Sequence, residues 1–179
     1  PNMKPRKLVL ILIFIFGFIL ISIYIDKFPP SLNWDEVSHG YNAYSLLKTG
    51  RDEWGSFLPL IFRAYGDYKL PLYIYLTIPS VLIFGLTPFS VRLVSIVAGS
   101  LLPVLIYLIV GKILPKDTKI PLFAALICLF SPGTLFLSRI ALEANLFAFL
   151  FCLSLYFLIT KKYSFSSFIY GLSLFTYNS

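Results

Sequence analysis

The chain has 179 residues, 58% of them hydrophobic and 13% charged, with a formal charge of +7. An ordinary soluble domain carries about 25% charged residues, so the composition excludes one and points to a membrane protein built as a helix bundle. The charge does not mark a nucleic-acid binder, because the basic residues sit in short loops beside apolar runs, where they set topology.

The first apolar run, residues 8–25, follows a basic cluster of Lys4, Arg6 and Lys7. That order resembles a signal peptide, but no small-residue cleavage site follows, and the run reads as an uncleaved first span. Next comes "PSLNWDEVSHGYNAYSLLKTG", in which Asn33 or Asp35 can cap a helix over 35–48 with Glu36 in its first turn. Thr49-Gly50 ends it. Val37, Tyr41, Tyr44 and Leu47 recur at helical spacing, so this helix has an apolar face suited to the bilayer surface. Asp35 and His39, the single histidine, stand four apart on a shared face.

The run 70–84, "LPLYIYLTIPSVLIF", is short for a span and carries Pro71 and Pro79. Longer runs follow at 89–110, 120–137 and 144–160, with another at 165–177. Charge decides the role of 70–84. If it does not cross, the cluster Lys4, Arg6 and Lys7, the loop with Lys112, Lys116 and Lys119, and the pair Lys161-Lys162 all fall on the cytoplasmic side. The expected fold is therefore all-α: a polytopic transmembrane helix bundle in the cytoplasmic membrane with the N-terminus inside. Its large outer loop spans 26–88 and contains interfacial helices over 35–48 and 70–84.

Six of the eight acidic residues lie in that outer loop, and Glu143 lies at the small outer turn near 138–143. Carboxylates and cations gathered at a bilayer edge are costly and mark function by default. Lys69 reads equally as a snorkelling anchor or as a cation aimed at a lipid-borne phosphate. Arg92 and Arg139 have the planar fork that suits phosphate oxygens. Arg139 and Glu143 are also spaced for a local salt bridge. His39 is a candidate helper or acceptor-side group. Cys128 and Cys152 read as small apolar fillers, and with one histidine no Cys/His metal cluster can form. Nothing in the residues calls for a cofactor, although a divalent metal is conceivable at an acidic site. Asn178-Ser179 leaves a glycosylation sequon incomplete.

The order of the pieces carries a resemblance. "WDE" opens a helix ending in "LLKTG"; then come "DEWG", "YKLPLYIYL", "FGLTPFSVRLVS" and "SPGTLFLSRIALEANL". Taken together over residues 1–179, the chain resembles the N-terminal part of the C-type (GT-C) integral-membrane glycosyltransferases. The likeness is strongest to the protein O-mannosyltransferase and aminoarabinose-transferase-like group. It implies transfer of a sugar from a polyprenyl-phosphate donor to a protein, lipid or glycan acceptor on the outer face, usually with inversion. It implies that Asp35 is the catalytic carboxylate with Glu36 beside it, and that Glu143 is the second acid. It puts Lys69 and Arg92 on the donor phosphate, with Arg139 as a third outer cation. Relatives run to many more spans, so this stretch alone is expected to be inactive.

The chain departs from the family pattern at three places. Leu70 stands where a proline is common, Glu143 where an aspartate is common, and Tyr68 where some relatives have a metal-binding carboxylate. Two other readings share the composition: a transporter fragment, and a non-catalytic membrane scaffold. In a transporter the ionisable groups should file across the bilayer, whereas in a transferase they should converge at one interface.

Overall fold

A computed structural model describes residues 7–117 and 119–177; Lys4, Arg6 and the Asn178-Ser179 pair lie outside them. The described chain is mostly helical. The helices are α1 (Lys7–Ser22), α2 (Trp34–Thr49), α3 (Pro71–Phe84), α4 (Pro88–Ile113), α5 (Ile120–Phe130), α6 (Pro132–Ser138), α7 (Glu143–Ile159) and α8 (Tyr163–Ser173). Between α2 and α3 the strands β1 (Phe62–Ala64) and β2 (Asp67–Lys69) form an antiparallel hairpin with Ala64 opposite Asp67. The all-α expectation missed this hairpin. Its two-residue loop, Tyr65-Gly66, has positive φ at both positions, as the tight primed turns require.

The axis is α4. Its start is set by Thr87, whose side chain caps Ser90 N while Ser90 caps Thr87 N, and by Pro88 in the first turn. Helices α1, α2, α3, α5, α6 and α7 all pack on it. It is 26 residues long, about 39 Å at the helical rise of about 1.5 Å per residue. By length and apolarity it is the one helix among those described that can cross a membrane alone. Helices α1, α3 and α7 are apolar but shorter, and the expected span 120–137 is broken. Pro132 cannot supply an N–H to a continuous helix, so α5 ends and α6 starts anew at a bend of 58°. By length and apolarity the described helices thus include one candidate span, or two if the bent pair counts as one, where the sequence led us to expect five. The last expected span, 165–177, is a helix only to Ser173.

Burial follows helical spacing. Helix α1 buries Ile13, Gly17 and Ile21, four residues apart, against α4 and α5, and exposes Leu8, Ile11, Leu12, Ile15, Phe16 and Ile19. Helix α2 is inverted with respect to a soluble helix. It buries Glu36, His39, Asn42, Ala43 and Leu46 and turns Val37, Tyr41 and Tyr44 outward. An outward apolar face on a helix with a polar inner face suits lipid contact. The α2–α3 layer has its own core of Ala43, Leu46, Phe62, Ile74 and Val81, which pins the hairpin beneath α2.

Gly99 lets α4 meet α6: a Cβ there would overlap the Ser138 hydroxyl and lie 2.5 Å from Ser138 Cβ. Overpacking of this kind costs about 1–3 kcal/mol. We expect Gly99→Leu to lower the thermal midpoint in detergent. Gly171→Ala, where nothing lies within 4 Å of the added carbon, should leave it unchanged or raise it.

Candidate active site

The site forms where the N-terminal ends of α2, α4 and α7 meet the end of α1. Asn33 caps α2 by accepting from Glu36 N, and the Glu36 carboxylate accepts from Asn33 N at 2.9 Å. This capping box fixes the first turn of α2. The same carboxylate then reaches out of the helix. Its Oε1 accepts from Arg92 Nε at 2.8 Å and from Ala141 N at 2.8 Å, and its Oε2 accepts from Arg92 Nη2 at 3.2 Å. Glu36 and Arg92 are both 0% exposed.

Arg92 is fully engaged. Besides the two bonds to Glu36, Nη1 donates to the carbonyls of Ile25 and Pro29, and Nη2 donates to that of Ser31. That accounts for all five guanidinium N–H groups. Arg139 is engaged in the same way, on the carbonyls of Leu20, Ile21, Ile23 and Phe28. It thereby satisfies carbonyls at the C-terminal end of α1 that have no helical partner. The family resemblance put both arginines among the candidate donor-phosphate cations, and Glu36 beside the catalytic carboxylate Asp35. In the structure the three side chains hold the 20–31 connection against α4 and the α6–α7 turn. The expected Arg139–Glu143 pair does not form, since residues 139–142 are turn rather than helix and the i,i+4 geometry is lost.

Two of the expected residues, Lys69 and Glu143, face a common space, and Asp35 adjoins it through Lys69. Lys69 Nζ lies 2.7 Å from Asp35 Oδ1 and 3.7 Å from Asp67 Oδ2. Lys69 and Glu143 line a polar cleft of about 50 Å³ together with Asp67, Tyr68, Leu70 and Tyr177. Asp35 is half-buried and one ion pair away from the cleft. Burial pulls the Lys69 pKa down, but the hydrogen bond to Asp35 and the fields of Glu143, Asp35 and Asp67 outweigh it and hold the pKa above the ordinary lysine value. The site therefore keeps a fixed positive charge. Glu143 opens α7 with Oε1 at 2.8 Å from His39 Nε2, and His39 Nδ1 lies 3.0 Å from the Ala141 carbonyl. So His39, which the sequence placed on a face with Asp35, pairs with Glu143 instead.

Two further outer acids, Asp52 and Glu53, have structural partners. Asp52 Oδ1 accepts from Trp54 N and Ser56 N, and Glu53 exchanges bonds with Asn42. Among the described residues no group of three or more His, Cys, Asp and Glu converges as a metal site. Asp35 is tied to Lys69 and His39 to Glu143, so the donors face partners rather than one shared point. Tyr177 is a wall of the cleft that sequence reasoning did not find, because nothing in its neighbourhood marks it.

A buried ion pair that loses one partner costs about 3–5 kcal/mol. Glu36→Gln and Arg92→Leu should each lower the detergent-solubilised thermal midpoint sharply, and Arg92→Lys should not rescue it, because an ammonium cannot reach five acceptors. Asp35→Asn, which breaks a partly exposed pair worth about 0–1 kcal/mol, should leave the midpoint nearly unchanged in the same assay.

No curated protein and no solved structure matches the chain. The family model described as dolichyl-phosphate-mannose-protein mannosyltransferase matches residues 9–175, which takes in most of α1, all of α2 through α8, and every residue of the site but Tyr177. With that match over nearly its whole length, and with an acid, a lysine and a second acid gathered at one end of an apolar bundle, the chain belongs to the dolichyl-phosphate-mannose-protein mannosyltransferase family of membrane glycosyltransferases.

Proposed function

We propose that this protein transfers a sugar from a polyprenyl-phosphate donor to an acceptor hydroxyl at the outer face of the cytoplasmic membrane. The observation that carries the reading is the Asp35–Lys69 pair at the edge of a cleft shared with Glu143. The leaving group departs as a phosphate bearing negative charge, and a fixed cation stabilises that charge as it develops. Lys69 has three N–H donors, so it can keep Asp35 and still offer one to a phosphate oxygen. In this reading Arg92 and Arg139 are scaffold residues, and Lys69 carries the phosphate role. Asp35 takes the proton of the attacking hydroxyl as general base. Glu143 orients the acceptor. Glu36 belongs to the frame that holds Asp35 in place.

The lipid tail has a natural berth in the same reading. Helix α3 begins two residues after Lys69, and with α4 and α7 it walls an apolar groove of about 340 Å³ lined by residues that include Leu76, Ile83, Val94, Val97, Leu146 and Phe149. A prenyl chain lying there would bring its phosphate up to the bilayer edge. The polarity of the bundle supports an outer site: Lys112 stands at the far end of α4, Lys116 and Lys119 follow it, and α7 runs away from Glu143 toward Lys161 and Lys162. Basic residues collect on the cytoplasmic side. A transport pathway would instead distribute its ionisable groups through the membrane depth, whereas here they gather at one end of α4. Membership of a family described as dolichyl-phosphate-mannose-protein mannosyltransferases favours mannose as the sugar and protein as the acceptor.

A general base contributes about 10²–10⁴-fold. We expect Asp35→Asn in the full-length protein to lower sugar transfer by about that factor with membrane insertion unchanged, measured with a polyprenyl-phosphate mannose donor and a Ser/Thr peptide. Near-normal transfer would remove Asp35 from the role of base.

A further inference from the structure

Glu143 is held by one side chain, and the holding is specific. The Ala141 carbonyl can only accept, so His39 Nδ1 carries a hydrogen toward it at 3.0 Å. His39 Nε2 then meets Glu143 Oε1 at 2.8 Å. That contact needs one proton, carried either by Nε2 with the carboxylate ionised or by Oε1 with the imidazole neutral. Both arrangements have the same net charge, so the pair holds a single proton in common.

The ring has no freedom to abandon this bond. His39 is 0% exposed and lies 4.8 Å, centroid to centroid, from the Tyr73 ring, whose hydroxyl is fixed by Ser95 and the Val91 carbonyl. A flipped ring would point carbons at both acceptors. Residue 141 is gripped at both backbone groups from one helix: its N–H by Glu36 and its carbonyl by His39, three residues apart on α2. This clamp sets the turn from which Glu143 emerges two residues later. The charged and titratable groups around the pair are Glu36 and Arg92 behind Ala141, Lys69 and Asp35 across the cleft, Tyr73 from α3, and Tyr177 at the rim.

We propose that His39 is the positioning residue of Glu143: it shares one proton with that carboxyl, fixes Oε1, and leaves Oε2 to accept a hydrogen bond from a second donor of the acceptor, such as a peptide N–H, while Asp35 takes the proton of the attacking hydroxyl. The part assigned to Oε2 rests on the transferase reading above; the shared proton does not.

Two measurements on the full-length protein separate these. In the first, 15N-histidine labelling in detergent, with His39→Gln giving the assignment, should show a strongly deshielded, slowly exchanging His39 ring proton that Glu143→Gln shifts or removes. A ring proton indifferent to Glu143→Gln overturns the pairing, whatever the protein catalyses. In the second, transfer to a Ser/Thr peptide from polyprenyl-phosphate mannose is measured in a double-mutant cycle. His39→Ala should lower kcat about tenfold or more with donor KM little changed, and His39→Gln, which keeps an N–H donor, should restore most of it. In the Glu143→Gln background His39→Ala should cost nothing further. An equal loss in both backgrounds would make His39 a general structural residue and refute the proposal. Absence of transfer by the wild-type protein would defeat the transferase reading instead, and the ring-proton measurement would still decide the pair.

Discussion

The buried pair of Glu36 and Arg92 is the constraint on which the rest of the site depends. Two charges withdrawn from water are tolerable only when every donor and acceptor is matched, and here they are. Arg92 spends five N–H groups, and Glu36 accepts from Arg92, Asn33 N and Ala141 N. The partners come from the end of α1, the start of α2, the second turn of α4 and the turn before α7. One ion pair therefore fixes four chain segments that are far apart in sequence. It also sets the registers of Asp35, adjacent to Glu36, and of Glu143, two residues beyond Ala141. Arg139 ties the same connection to the end of α1 from the other side.

The result is a division of labour among charges that look alike in the sequence. Glu36 and Arg92, fully buried, build the frame together with Arg139, whereas Lys69 and Glu143 line the cleft with Asp35 beside Lys69. Asp35 and Glu36 are neighbours, yet a helix sends adjacent side chains about 100° apart, so one turns into the protein and the other toward Lys69. The same separation holds among the cations: two arginines have their N–H groups matched to internal carbonyls and a carboxylate, while Lys69 keeps an N–H to spare. Holding the acids at the end of α4, beyond the apolar cores of the bundle, places charge where a lipid-borne phosphate would lie and leaves the helices free to bury one another.

Much of the frame is legible in the sequence because it is local. The capped helix expected over 35–48 is α2, bounded by Asn33 and Gly50. The proline-rich run 70–84 is α3, with Pro71 in its first turn, and 89–110 is the heart of α4. The break at Pro132 was readable from the proline, but the strength of the apolar run masked it. The β1–β2 hairpin is only three residues per strand, too short for alternation to show. The pairings of the site were not legible, since Glu36 and Arg92 are 56 positions apart and His39 and Glu143 are 104 apart. Nothing local distinguishes an arginine that will bind phosphate from one that will be filled by carbonyls. For the same reason the spacing of Arg139 and Glu143 misled, because it presumed a helix where the chain turns.

The most direct test of the account is a structure of the full-length protein in lipid with a non-hydrolysable polyprenyl-phosphate sugar bound. The account places the phosphate on Lys69, with the sugar between Asp35 and Glu143, the prenyl chain along α3, and Arg92 still buried against Glu36. A phosphate bound at the opposite end of α4, near Lys112 and Lys116, or one drawn to an Arg92 released from Glu36, would contradict it.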